Sequence, residues 1–285
     1  MRLLQAWESG VITTSVLLAA FALVALWETF RPARNFAVST SRRWFANGSL
    51  FAIGQFAVPL ALASSSIAAA SYSAGSSRGL LHWVSAPAFL AVPVSVLSLD
   101  LCRYAQHFLY HRIAVLWRIH RVHHSDPGYD LTTGIRFHPI ETLISQGTYL
   151  AFITVLGPPL YVVAVTEAAS LAQNFLAHAN VSFPRWAERA LRPVLVTPDL
   201  HRVHHADDQL LQNCNFATLF PWWDRLFGTY MEATPQRFGL PEVSHRDALN
   251  PALLLAQPFL SLRGGEGVEY ARKRTADANP GQAAN

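Results

Sequence analysis

The sequence predicts an all-α fold: a multi-pass helical membrane protein with a cytoplasmic helical cap. Three observations carry this. Of the 285 residues, 51% are hydrophobic and only 14% charged, against about 25% charged in a typical soluble domain. Uncharged stretches long enough to cross a bilayer recur before residue 100 and again after Thr142. Eight of the twelve histidines bunch at spacings of three and four, the spacings that share one face of a helix.

Residues 1–99 read as N-terminal transmembrane helices. The uncharged run from Ser9 to Trp27 approaches the roughly 20 residues a helix needs to span hydrocarbon. The start, MRLLQAWESG, lacks the basic cluster and cleavage site of a secretory signal peptide, so this run is expected to stay as a helix. Arg31, Arg34, Arg42 and Arg43 follow it, and a basic loop of this kind belongs on the cytoplasmic side. Trp44 to Ser77 is the next span and Gly79 to Leu99 the third, with the 71–79 loop, carrying only Arg78, outside. Everything after Asp100 is then cytoplasmic.

Residues 100–262 hold eleven of the twelve histidines and one more apolar region. That region, about 142–177, is broken by Gly157-Pro158-Pro159 and reads as a hairpin of two helical limbs. A limb of about 15–18 residues is roughly 22–27 Å long. A hairpin returns the chain to the side it left, so histidines before and after it share one membrane face. Residues 263–285 read as a mobile tail.

Several classes fall away on composition. The net charge of +4 is scattered between apolar runs rather than gathered into a patch, which disfavours nucleic acid as a partner. Cys102 and Cys214 are too few and too far apart for a disulfide framework or an iron–sulfur cluster.

The pentapeptide HRVHH occurs at 120–124 and again at 201–205. One HxxHH arises by chance in roughly one chain in fifty of this length, so two are unexpected. HFLYH adds His107 and His111 at i, i+4. Adjacent residues on a helix point about 100° apart, so His123 and His124, like His204 and His205, can address two different metal ions. Imidazole suits Zn, Cu, Fe and Ni. A metalloprotease is disfavoured because neither pentapeptide carries the glutamate of HExxH.

The stretch DLCRYAQHFLYHRIAVLWRIHRVHHSDPGYDLTTGIRFHPIE, followed in order by FLAHANVSFP, TPDLHRVHH and NFATLFPWWDRLFGTY, resembles the fatty acid hydroxylase/sterol desaturase superfamily. The resemblance runs from about Asp100 to Tyr230. It implies a histidine-bound di-iron centre at the cytoplasmic membrane face, with zinc as a substitute on purification, that uses O2 to hydroxylate or desaturate an unactivated C–H position of a lipid. Carried over by motif, the implied ligands are His107, His111, His120, His123, His124, His178, His201, His204 and His205. His138, in RFHPIE, matches the family's HPxE pattern and is carried as a tenth ligand or as a residue supporting one. Relatives with HxxxH around His178 have a further histidine where this chain has Asn174, which leaves nine or ten ligands open.

Metal-bound imidazoles usually pass their other N–H to a carboxylate or carbonyl. Asp100, Glu141, Asp199 and Asp224 lie in or beside the motifs and are the candidates. His82 and His245 fall outside them and read as interfacial and solvated, and Glu167, in the hairpin, is left open. The chain has no Gly-rich flavin or nicotinamide fingerprint and no CxxCH. Electrons are therefore expected from a separate ferredoxin or cytochrome-type protein with its reductase. The lipid is expected to enter from the bilayer. The alternative to an oxygenase is a non-catalytic membrane protein that binds or transports metal.

Overall fold

The computed structural model describes residues 15, 18–36, 38–62 and 66–261. The first half of the expected first span and the expected tail at 263–285 lie outside them. Among the described residues the secondary structure is helical, with a single isolated bridge between Ala206 and Phe238.

The apolar N-terminal region forms α1 (Leu18–Phe30), α2 (Thr40–Leu62), α3 (Ser66–Ser76) and the short α4 (Leu80–Trp83). Next comes α5 (Ala88–Arg112), which runs unbroken through positions 99 and 100. The third apolar stretch and the first histidine motif therefore share one rigid rod. Helix α5 stops because Ile113 is extended (φ −103°, ψ 116°), and the same residue opens α6 (Ala114–His124). The turn packs α6 back against α5 and sets HRVHH against HFLYH.

The hairpin is present as α7 (Pro139–Leu156) and α8 (Leu160–His178). Gly157 ends α7 in the left-handed region (φ 68°), its N–H bonded to the Ile153 carbonyl, and the two prolines after it cannot continue the helix. The loop after α3 lies directly over this turn. A Cβ on Gly157 would sit 2.8 Å from the Arg78 carbonyl oxygen, and one on Gly79 2.6 Å from Gly157 Cα. Helices α3 and α5 each pack against both α7 and α8, around an apolar core of Ala70, Leu99, Tyr149, Ile153 and Val163. Two of these helices, α5 and α8, are long and apolar enough to cross a membrane.

The chain after α8 is built from short pieces: α9 (Arg185–Leu191), α10 (Pro198–His204), α11 (Gln209–Gln212), α12 (Trp222–Leu226), α13 (His245–Ala248) and α14 (Pro251–Ala256). Helix α10 has a clear start signal. Thr197 accepts the Leu200 N–H at the N-cap and Pro198 holds the first helical position.

Candidate metal centre

Four segments deliver histidines to one buried volume. Helix α5 brings His107 and His111, and α6 brings His120, His123 and His124. His178 is the last residue of α8, and α10 with its C-cap brings His201, His204 and His205. Their ligand atoms fall into two groups, each with all atoms within 4.8 Å of one another. One holds His107, His111, His120, His124 and His204, and the other His123, His178, His201 and His205. Each HRVHH splits between the groups. His124 and His204 serve the first and His123 and His205 the second, as the 100° step between neighbours requires. The rings meet closely: His107 and His204 centroids are 4.5 Å apart, and His124 stacks on His205 at 4.6 Å.

The nitrogens facing inward have nothing to bond except one another: His178 Nε2 lies 3.1 Å from His201 Nε2 and 3.3 Å from His123 Nε2. Nε2 of His107, His111, His120, His204 and His205, and both ring nitrogens of His124, are buried without a hydrogen-bond partner. Buried polar atoms are seldom left this way, because each costs about 1–3 kcal/mol. Six such rings in one place are accounted for by an occupant that takes lone pairs. The rings are also in the right protonation state. Burial first, and then the neighbouring imidazoles, hold His123, His124, His201, His204 and His205 well below the usual histidine range. The donor set fits two transition-metal ions that favour imidazole.

The outward nitrogens are tied down mostly by backbone. His107 Nδ1 meets the Phe216 carbonyl at 2.8 Å, His204 Nδ1 the Cys214 carbonyl at 2.7 Å, and His178 Nδ1 the Asn174 carbonyl at 2.8 Å. Only His120 meets a carboxylate, Glu141 Oε1 at 2.6 Å. Of the four acids expected to support ligands, Glu141 therefore does so directly. Asp100 and Asp224 act one step back. Asp100 accepts the Leu219 and Phe220 N–H groups and Trp223 Nε1, and Asp224 accepts the Phe216 and Ala217 N–H groups and the Thr229 hydroxyl. Together they hold the 216–220 loop whose carbonyl orients His107. Asp199 supports no ligand: it pairs with Arg202 at 2.5 Å and with Ser182, because it turns to the outer side of α10.

His138 stands outside both groups. Its Nδ1 accepts the Ile140 N–H as the N-cap of α7, and its Nε2 faces the Leu255 carbonyl at 3.2 Å. With Nδ1 accepting, Nε2 carries the proton and donates to that carbonyl, so both ring nitrogens are engaged and the ring serves as a helix cap. The HPxE pattern has a local explanation: histidine caps, Pro139 fills the first helical position, and Glu141 reaches His120.

Sequence reading missed a second buried cluster. Arg43, read above as a topology-setting loop arginine, is 1% exposed. Its Nε and Nη2 grip both oxygens of Asp126 at 2.6 and 2.9 Å, and its Nη1 reaches Asp130 at 2.6 Å. Asn47 bonds Asp126 and Thr132, while Arg136 bonds Asn47, Ser125 and the Val122 carbonyl. Glu28, at the end of α1, accepts the Leu131 and Asn180 N–H groups. The run SDPGYDLTTGIR held the only available signal: two acids in a turn-rich loop directly after a histidine motif.

Residues 92–229 match the fatty acid hydroxylase family. This segment, just under half of the chain, is similar to that family. Alkylglycerol monooxygenase of Xenopus tropicalis is 30% identical over 142 residues, 48% of this chain and 30% of that protein. Ornithine lipid hydroxylase of Rhizobium tropici is 32% identical over 158 residues (55% and 46%), and human cholesterol 25-hydroxylase 26% over 174 residues (54% and 61%). The chain thus spans about a third of the length of the alkylglycerol monooxygenase it matches. No solved structure is similar at a significant level.

Proposed function

We propose that this protein is a membrane-bound, O2-dependent lipid hydroxylase whose histidine cage holds two iron ions at the cytoplasmic face. One observation carries the reading: nine clustered imidazoles, most with an unpartnered inward nitrogen, form two adjoining groups. His107, His111, His120, His124 and His204 hold one ion; His123, His178, His201 and His205 hold the other. Bound iron supplies O2 activation, and the overall change is C–H plus O2, two electrons and two protons to C–OH and water.

The chain's own residues do the rest. The Phe216, Cys214 and Asn174 carbonyls and Glu141 fix ring orientations before any ion arrives. Burial excludes water and keeps the imidazoles unprotonated. Hydroxylation is favoured over desaturation because the named relatives are a monooxygenase and two hydroxylases. Those three act on chemically different lipids, which supports an apolar lipid substrate taken from the bilayer. The two electrons come from a separate ferredoxin or cytochrome-type donor. Helices α1 to α5 and the α7–α8 hairpin form the multi-pass membrane part, and α6 with α9 to α14 the cytoplasmic cap.

The test is metal content by mass spectrometry of purified protein, followed by lipid turnover under 18O2. Wild type is expected to carry about two irons (or zincs), and His204→Ala and His123→Ala each about one, with 18O in a lipid hydroxyl for wild type alone. A folded wild type that takes up no metal after anaerobic iron loading would overturn the proposal.

A further inference from the structure

Away from the cage, an open pocket of about 630 Å³ lies where α9, α12 and the outer side of α10 meet. Four arginines line it: Arg185, Arg189 and Arg192 from α9 and its C-cap, and Arg225 from α12. Its three acids are already engaged. Glu188 accepts from Arg192 and the Thr197 hydroxyl, Glu232 from Arg192 and Tyr230, and Asp199 from Arg202 and Ser182. Arg192 thus serves two carboxylates by itself. The Arg185, Arg189 and Arg225 guanidiniums pair with no carboxylate among the described residues, and Arg225 lies over the Tyr230 ring at 4.0 Å. With Arg202 included, five guanidiniums meet three carboxylates, a surplus of two positive charges. A phosphate is the ligand this surplus fits, because the planar guanidinium fork matches its oxygens.

The pocket stands at the level where α5, long and apolar enough to cross a membrane, leaves its apolar stretch. Gly79 to Leu99 carries no Asp, Glu, Lys or Arg, and Asp100 ends that run. Asp100 accepts the Phe220 N–H and Trp223 Nε1. Trp222 stacks on Phe220 with ring centroids 4.5 Å apart and donates its Nε1 to the Pro193 carbonyl at 2.8 Å. Pro193 is part of the pocket wall. Next to the unpaired arginines in the chain, Trp186, Leu226 and Phe227 are 73%, 69% and 54% exposed. Tryptophan and arginine together at this level suit the headgroup layer of a bilayer, where the ring is half in lipid and the cation meets phosphate.

We infer that the pocket between α9 and α12 binds the phosphate headgroup of an anionic membrane lipid through Arg185, Arg189 and Arg225. The inference rests on the membrane placement proposed above but not on the oxygenase chemistry. Helix α10 stands between pocket and cage, with Asp199 lining the one and His201 serving the other. The lipid held here therefore ties the short helices after α8 to the bilayer surface and is not the one presented to the cage.

The test reads lipid retention, so it can fail or succeed whatever the cage binds. The purified full chain in neutral detergent receives equal amounts of dioleoylphosphatidylglycerol and dioleoylphosphatidylcholine, which share their acyl chains and differ in net charge. Native mass spectrometry follows what is retained. The anionic lipid is expected to be held about tenfold more tightly, each arginine at a lipid surface being worth about fivefold. Arg185→Gln/Arg189→Gln should bring that ratio to about twofold or less, and Arg225→Gln, on a different helix, should lower it about fivefold by itself. Arg31→Gln/Arg42→Gln removes two equally exposed arginines outside the pocket and should leave the ratio at its wild-type value. Retention of the neutral lipid and the unfolding midpoint should not change in any variant, which shows that all are folded. Millimolar inorganic phosphate should not release the anionic lipid; release would make the pocket a site for soluble phosphate instead. Equal retention of the two lipids, a ratio that survives the pocket variants, or an equal fall in Arg31→Gln/Arg42→Gln would likewise overturn the inference.

Discussion

Removing Arg43 tests whether the segment before the matched family region holds the cage in shape. Arg43 makes a bidentate pair with Asp126 at 2.6 and 2.9 Å and a third contact with Asp130, all with almost no solvent exposure. Gly128 exists to let the chain pass over it: a Cβ there would lie 2.7 Å from the guanidinium carbon. Arg43→Met leaves two buried carboxylates facing each other without their cation. Breaking one side of a buried pair costs about 3–5 kcal/mol. Asp126 follows His123 and His124 by three and two residues, so the strain falls on the cage first. The expected result is a lower unfolding midpoint in detergent together with loss of metal, first from the group holding His123. Arg43→Lys keeps the charge but not the fork and should fall between. The Arg43→Met/Asp126→Asn double variant should be less damaged than the sum of its singles, because fewer buried charges are left uncompensated. Burial raises the Asp126 pKa, but the Arg43 guanidinium beside it outweighs that and holds the carboxyl below the usual carboxylate range. Its folded value is therefore below its unfolded one. The pair's contribution is present above about pH 4 and lost as the pH falls further. An Arg43→Met protein with wild-type midpoint and two metals would refute the coupling.

Other outcomes follow from single contacts. Glu141→Gln removes the one carboxylate on a ligand imidazole and should weaken metal retention against a chelator about 10- to 100-fold, chiefly in the group containing His120. His138→Ala should leave metal content unchanged and lower stability by about 1 kcal/mol, the usual worth of a helix cap; loss of an ion would restore it as a ligand. Gly157→Ala meets both a positive φ and the Arg78 carbonyl and should lower the unfolding free energy by about 1–3 kcal/mol, or the hairpin turn is not as described. The cage histidines His123, His124, His201, His204 and His205 have folded pKa values below the unfolded value of about 6.5. Metal-free protein should then be steady above that pH and lose up to about 1.4 kcal/mol per unit per histidine as the pH falls below it, which denaturant titrations at stepped pH would show.

The histidine cage was legible because its logic is local. Spacings of one, three and four on a helix decide which rings share a face, and those spacings are written in HFLYH and HRVHH. The hairpin was legible because Gly157-Pro158-Pro159 can do little but turn. Partners brought from afar were not legible. Arg43 and Asp126 are far apart in sequence, and an arginine beside an apolar run is ordinarily a topology signal, so nothing local marks it as buried. His138 was misread for the opposite reason. It carries a ligand's residue type in a ligand-rich region, and only the direction of the Ile140 N–H shows that its lone pair is already used.

The acids give the sharper distinction. Sequence places four of them near the motifs, and the simplest expectation pairs each with an imidazole. Only Glu141 does so. Asp100 and Asp224 instead spend their oxygens on the N–H groups of the 216–220 loop, and that loop offers carbonyls to the cage. The consequence is electrostatic. Carbonyls orient imidazoles as well as carboxylates do but bring no formal charge. Nine imidazoles backed by one carboxylate would leave the positive charge of two bound divalent ions largely uncompensated inside a buried site. Such a site favours the lower charge state of its ions, so it should be easier to reduce than one surrounded by acids. Placing a carboxylate next to the cage, as in Phe216→Asp, should lower the reduction potential of the iron-loaded protein in a spectroelectrochemical titration. An unchanged potential in a variant that still binds two irons would show that the carbonyl support has no electrostatic consequence.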